Sequence, residues 1–514
     1  MRTVTTAIRC LALLAALAGS ASAGTLVLQN AVVYDGSGRP GFRADLRIDG
    51  ERIVAVAKHL RPRPGEAVRD LHGLALAPGF VDMHSHADAR ILELPTAENV
   101  IRQGITTVLV GQDGSSAYPL ADFLARLERD PPSLNVASMA GHGTLREQVL
   151  GQGKDLLRPS TPAELEKMRA LLDQEMQAGA FGLSSGLEYD AGHFATTGEL
   201  VELAKVAGRH SGFYISHVRD EGNGVFDAFR EAIEIGRRAR IPIEISHIKL
   251  GTTPNWHLAR TRMPEMFRLA RSQGVDLKAD VYPYTFWQSG LRVIVLDRDY
   301  FNAEKVAKAI AENGGAENLR LTRYQPEPQF SNKTLKEFAD HWQVTPVEAF
   351  MRIVRETMPG PDGVSREDDI LGASMAEDDV RWFLAHPRIL FCTDGEIRGK
   401  HPRSAGAFPR ILGLYVREQK VLPLAAAIHK MSALPAAQLG LAGRGRIAPG
   451  YWADLVVFDP ARVRDAATVE QPDAPPEGIV GVMVAGQWVV EEGRVTGARP
   501  GKVLRHRAAP EARH

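Results

Sequence analysis

Pro78-Gly79-Phe80-Val81-Asp82-Met83-His84-Ser85-His86-Ala87-Asp88 is an apolar run that ends in two histidines one residue apart. Alternate side chains of a strand share a face. A strand here turns His84 and His86 the same way, and a strand end opening on a cavity offers both imidazoles to one cation. Imidazole is the commonest protein metal ligand. A surface strand can carry His-x-His without metal, so the reading rests on the residues further along the chain.

Downstream, apolar strand-like runs alternate with longer amphipathic stretches, the pattern of a parallel sheet. The runs are 80–83, 106–110, 134–140, 182–185, 212–216, 243–246, 276–281 and 389–392, with helix-like segments such as 162–180 and 225–240 between them. Eight β/α units predict a closed (β/α)8 barrel, whose active sites sit at the C-terminal strand ends. Polar residues follow each run: His84 and His86, then Asp113, His142, Glu188 with Tyr189, His217, His247, Tyr282 with Tyr284, and Asp394. In a barrel these groups ring one mouth. A long excursion, about 290–387, separates the last two runs and contains helical stretches at 332–342 and 347–356. Such an insertion is a candidate lid or specificity element.

Upstream, residues 24–78 read as short strands, with Asp49-Gly50 between alternating runs marking a hairpin. Further strands are expected after residue 436, around 453–459 and 481–495. The reading is α/β: a barrel over 79–435, with a small β-sandwich built from both chain ends, 24–78 and 436–514. Arg2 and Arg9, the apolar run 11–17 and Ala21-Ser22-Ala23 have the order of a secretory signal, with cleavage expected after Ala23. The run is too short to span a bilayer, so no membrane anchor is expected after its removal. Cys10 leaves with that segment and Cys392 stays, which excludes an internal disulfide and suits a periplasmic or secreted location in a bacterium. Lys+Arg and Asp+Glu are both 62, so no net charge favours nucleic acid as a partner.

The segments 78–86, 104–108, Gly141-His142-Gly143-Thr144-Leu145-Arg146, Ile215-Ser216-His217-Val218-Arg219, Ile245-Ser246-His247 with Lys249, 279–284, Thr393-Asp394-Gly395, His401-Pro402-Arg403 and 406–410 resemble the amidohydrolase superfamily. Within it they resemble the D-aminoacylases, the N-acyl-D-amino-acid deacylases, from about residue 25 to 505 and in matching order. The resemblance implies a zinc hydrolase holding one or two ions, with His84, His86, His217, His247 and Asp394 at ligand positions. Where D-aminoacylases carry a cysteine ligand, this chain has Asp113. A thiolate becomes a harder oxygen ligand, which zinc accepts. Glu188 is the alternative bridging carboxylate, since no lysine lies in 182–189.

The implied activity is hydrolysis of N-acyl-D-amino acids, with Asp394 as base and then acid. The substrate is a small molecule with a free carboxylate. Arg403 is a candidate for that carboxylate because guanidinium binds it through two parallel hydrogen bonds. Lys249, Tyr189 and Tyr282 match the family's other carboxylate-binding positions, and His142 is a further possible substrate contact. Two alternatives are an exported dipeptidase-like relative acting on peptides ending in a D-amino acid, and a catalytically impaired binding protein.

Overall fold

A computed structural model describes residues 24–358 and 366–507; the expected signal segment and Cys10 lie outside the described residues. The eight expected runs are the eight walls of a closed parallel barrel. Phe80–Asp82, Ile105–Val110 and Asn135–Ser138 pair in that order. The third run breaks at Met139, and its second half, Ala140–Gly141, pairs forward with Gly182–Gly186. Phe213–His217, Ile243–Ile245, Leu277–Val281 and Ile389–Phe391 follow. The seam closes by hydrogen bonds from Asp394 N–H to His84 O (2.8 Å) and from His86 N–H to Gly395 O (2.9 Å).

Local chemistry sets the helices between. Helix Pro162–Ala178 starts in a capping box, Thr161 with Glu164, has proline in its first turn, and stops at Gly179, φ 116°. Helix Val225–Ala239 lays Phe226, Phe229, Ile233 and Ile235 onto the barrel. Among the described residues no helix is long and apolar enough to cross a membrane.

Both chain ends join one nine-stranded sheet. Leu26–Val33, Phe42–Asp49 and Arg52–Ala57 form the N-terminal part, with Asp49 opposite Arg52 at the hairpin. Ala75–Pro78 pairs with Leu26–Val33 on one side and with Leu455–Phe458 on the other, Ile479–Val484, Gln487–Glu491 and Arg494–Val495 complete the order, and Ala67–Asp70 is the ninth strand, parallel to Leu26–Val33. Leu28, Leu46 and Ile53 share a core with Leu455 and Met483, so the sandwich is a single sheet folded over itself. Pro78 ends that sheet and Phe80 opens the barrel, so Gly79 is the joint between the two layers.

The excursion has its own core and an antiparallel sheet of Phe286–Ser289, Asp368–Ala373, Leu319–Tyr324 and Lys333–Thr334. Helices Ala303–Glu312, Leu335–Trp342 and Pro346–Thr357 pack on it. Helix Glu377–Ala385 lies against helix Ala259–Ser272 and strand Ile389–Phe391, so the tail of the expected 290–387 segment is a barrel helix.

Candidate metal centre

Asp82 ties the first barrel strand to the last. Its carboxylate accepts from His84 N–H (3.3 Å), Thr393 N–H (2.8 Å) and Thr393 Oγ1 (2.5 Å). Burial pushes its carboxyl up to about 7 against the pull of those hydrogen bonds. Asp82 does not stand out in the sequence, yet it pins the backbone that carries both His84 and Asp394.

Beyond Asp82 the expected ligands converge. His84 Nε2 lies 3.4 Å from Asp113 Oδ2 and 3.6 Å from Asp394 Oδ1. His86 Nε2 lies 3.3 Å from Asp113 Oδ2 and 3.2 Å from Asp394 Oδ1. His247 Nε2 lies 3.3 Å from Asp113 Oδ1. Nitrogen and oxygen ligands about 2.0–2.1 Å from a tetrahedral zinc stand about 3.3 Å from one another. Both ring nitrogens of the wholly buried His84, and Asp113 Oδ1, have no hydrogen-bond partner. Such orphaned atoms are unfavourable unless something else satisfies them. The field of the acids acts on the imidazoles too. Burial alone would lower His86 and His247, but Asp113 and Asp394 lift His86 well above its ordinary value and, with Glu221, lift His247 to about 10. The same field attracts a dication, and the donor set fits zinc. Asp113, His247 and Asp394 all hold left-handed backbone, φ 53°, 32° and 49°, which non-glycine residues adopt seldom and often at functional sites. Gly186 lets the Asp113 loop close onto the fourth strand: a Cβ there would meet Asp113 O at 2.2 Å.

A second group extends from the first through His247. His217 Nδ1 is 3.1 Å from His247 Nε2, and Glu221 reaches His217 Nε2 at 3.7 Å and His247 Nδ1 at 3.1 Å. Glu221 was not singled out in the sequence; its only signal is its place four residues after His217. Both its oxygens also hold Lys249 Nζ, at 2.7 and 2.8 Å. Glu188 touches His217 Nε2 at 3.2 Å and accepts the Glu221 N–H at 2.6 Å, but joins neither group of converging ligand atoms. Burial first, and then Glu221, raise Glu188, whereas His84 and His247 outweigh burial and hold Asp113 far below the carboxylate range.

These groups open on a cavity of about 400 Å³ lined by His86, Asp113, Tyr189, Lys249, Asp394 and Arg403 among others. Arg403 Nη1 sits 2.5 Å from Asp394 Oδ2. Burial alone would raise Asp394; Arg403, His247, His86 and His84 overcome it and hold the carboxyl very low. Tyr189 Oη is 3.3 Å from His217 Nδ1. Tyr282 is not part of the cavity wall; its ring lies beneath Arg403 (4.7 Å) and Lys249 (5.9 Å), its hydroxyl unpartnered. His142 requires a correction. It opens helix His142–Leu150, is wholly buried, and its Nε2 bonds Glu199 at 2.8 Å, in a cluster with Arg146 that does not reach the cavity.

A parallel eight-stranded barrel whose C-terminal rim gathers imidazoles and carboxylates around one point defines a metal-dependent amidohydrolase barrel. The chain belongs to the amidohydrolase family, whose model matches residues 67–490. It is 35% identical to the D-aminoacylase of Alcaligenes xylosoxydans xylosoxydans, over 94% of this chain and 98% of that one. It is 34% identical to the N-acyl-D-glutamate deacylase of the same organism, over 94% and 97%. The crystal structure of N-acyl-D-glutamate deacylase from Bordetella bronchiseptica, complexed with zinc and a phosphonate mimic of the tetrahedral intermediate, superposes with a TM-score of 0.82 at 33% identity, covering 93% of this chain and 99% of that one.

Proposed function

We infer that the protein is a zinc-dependent hydrolase of N-acyl-D-amino acids, releasing a carboxylate and a D-amino acid. The observation that carries this is the convergence of His84, Asp113, His247 and Asp394 at a cavity that also holds Lys249 and Arg403. His84, His86, His247, Asp113 and Asp394 would hold zinc, with His217 reaching the same centre through His247. When bound, zinc lowers the pKa of a coordinated water to about 7 and polarises a carbonyl.

Asp394 is ionised at neutral pH and faces the centre with Oδ1, while Arg403 fixes Oδ2. It is placed to take a proton from the attacking water and pass it to the leaving nitrogen. Glu221 Oε1 and Lys249 Nζ lie 3.1 Å and 2.8 Å from His247 Nδ1 and so hold the ring with Nε2 towards Asp113, as groups behind a metal-bound histidine do. Lys249 and Arg403 offer the charge that meets the substrate's free carboxylate. The complete donor set, with Asp113 among its members, speaks against a catalytically impaired binding protein.

The test is release of D-leucine from N-acetyl-D-leucine, with N-acetyl-L-leucine as control. A chelator abolishes turnover and added zinc restores it. A zinc-loaded protein that releases no D-amino acid from any N-acyl form ends this reading. We also propose export. The charged, apolar and small-residue order of residues 1–23 supports it, and an unprocessed chain confined to the cytoplasm would count against it.

A further inference from the structure

Whatever lies beyond the scissile amide must occupy the rest of the cavity, and the insertion builds much of that wall. Trp287, Val293, Ile294 and Leu296 supply apolar surface, and Glu312, the last residue of helix Ala303–Glu312, lines the same cavity. Asp220, from the turn after the fifth strand, lines it too.

The charges on this wall are unbalanced. The lining lysine and arginine each face an acid, Lys249 against Glu221 at 2.7 Å and Arg403 against Asp394 at 2.5 Å, so neither leaves charge over for a group beyond the substrate's own carboxylate. Asp369 is neutralised by Arg323 at 2.5 Å. Glu312 has only a weak neighbour, Lys308 at 3.8 Å with a side chain 70% exposed. Asp220 accepts the N–H groups of Gly222 (2.7 Å) and Gly224 (2.9 Å), which leaves acceptor capacity on both oxygens. Burial is the largest influence and pushes its carboxyl up; Glu221 and Glu312 add to it, while the N–H groups of Gly222 and Gly224 pull the other way. An acidic side chain entering here would meet like charge.

Building on the deacylase reading, we propose that this site selects substrates bearing an organic cation beyond the scissile amide, its aliphatic stem on Trp287, Val293 and Ile294 and its charged head against Glu312 and Asp220. An apolar stem with a charged tip is how lysine and arginine side chains lie on protein surfaces. Two sources share this chemistry: the side chain of a basic D-amino acid, and the free amine of an aminoacyl group in a dipeptide.

Two substrate pairs separate the sources. One is Nα-acetyl-D-lysine against N-acetyl-D-norleucine; the other is L-alanyl-D-leucine against N-propionyl-D-leucine. N-acetyl-D-glutamate is the opposite-charge control. The zinc-loaded enzyme is expected to favour the cationic member of at least one pair by about tenfold in kcat/KM, and to disfavour the glutamate derivative. The preference shrinks in about 1 M salt, where the Debye length is about 3 Å. Glu312→Gln brings the ratio towards one, and Asp220→Asn, which keeps an acceptor for the turn, does the same independently. A ratio of one or less in both pairs, with the neutral substrates still hydrolysed, overturns the proposal and leaves the deacylase reading standing. A ratio that neither variant moves also overturns it. Loss of all turnover with every N-acyl-D-amino acid ends both.

Discussion

Asp113→Asn is the most informative single change. The side chain keeps its shape and one oxygen but loses its charge. In the structure that charge faces His84 at 3.4 Å, His86 at 3.3 Å and His247 at 3.3 Å. A unit charge about 3.3 Å from another, at an effective dielectric of about 20, interacts by about 5 kcal/mol. Losing half of that towards a bound dication weakens binding about a hundredfold, since 1.4 kcal/mol is about tenfold. The assay is zinc titration against a competing chelator, with metal content measured after dialysis. Circular dichroism and Tm establish that the variant is folded. Asp113→Cys restores tighter binding than Asp113→Asn, because a thiolate is also an anionic zinc ligand. A zinc affinity within about twofold of the parent in Asp113→Asn, under the same tenfold arithmetic, would refute Asp113 as a ligand and pass the role to Glu188.

Arg403 lowers Asp394, so Arg403→Met raises it, and the acid limb of the kcat/KM profile moves to higher pH; an unmoved limb would separate that titration from Asp394. Glu199 feels burial first, which raises it, but His142, Arg146 and Ser160 bring it down to about 2 from 4.5. That lowering corresponds to about 3 kcal/mol of stability, present above the unfolded value and lost as pH falls through the folded one. Glu199→Gln is therefore expected to lower stability most above about pH 5, and the gap to close towards about pH 2 in urea titrations. Gly186→Ala forces the Asp113 loop away, since the new carbon meets Asp113 O at 2.2 Å. Overpacking of this kind costs about 1–3 kcal/mol, and zinc content falls with Tm.

The barrel was legible because its strands are short apolar runs, each stopped by a polar residue. A strand buried on both faces has few other sequences open to it. The candidate ligands were legible for the same reason: His84, Asp113, His217, His247 and Asp394 are those stops. What failed to show were residues whose role depends on a neighbour from elsewhere in the chain. Glu221 looks like part of a charged turn until folding brings Lys249 and His247 beside it. Asp82 reads as one polar residue in an apolar run until Thr393 closes the seam. His142 looked like a rim histidine because it follows a strand. A helix starts at that residue, and Glu199, fifty-seven positions on, draws its ring into a buried ion cluster instead. The end of the insertion was misjudged because a barrel helix and an inserted helix have the same amphipathic period.

The sheet shared by the two ends bears on how the molecule is made. Strand Ala75–Pro78 leaves the ribosome early, yet its partner Leu455–Phe458 emerges some 380 residues later. Until then the N-terminal strands present an open edge, the kind that recruits foreign strands. Pairings this distant in sequence form slowly. This layer is thus the last whose strands are all synthesised, and a chain that ends before residue 455 lacks the partner for that edge.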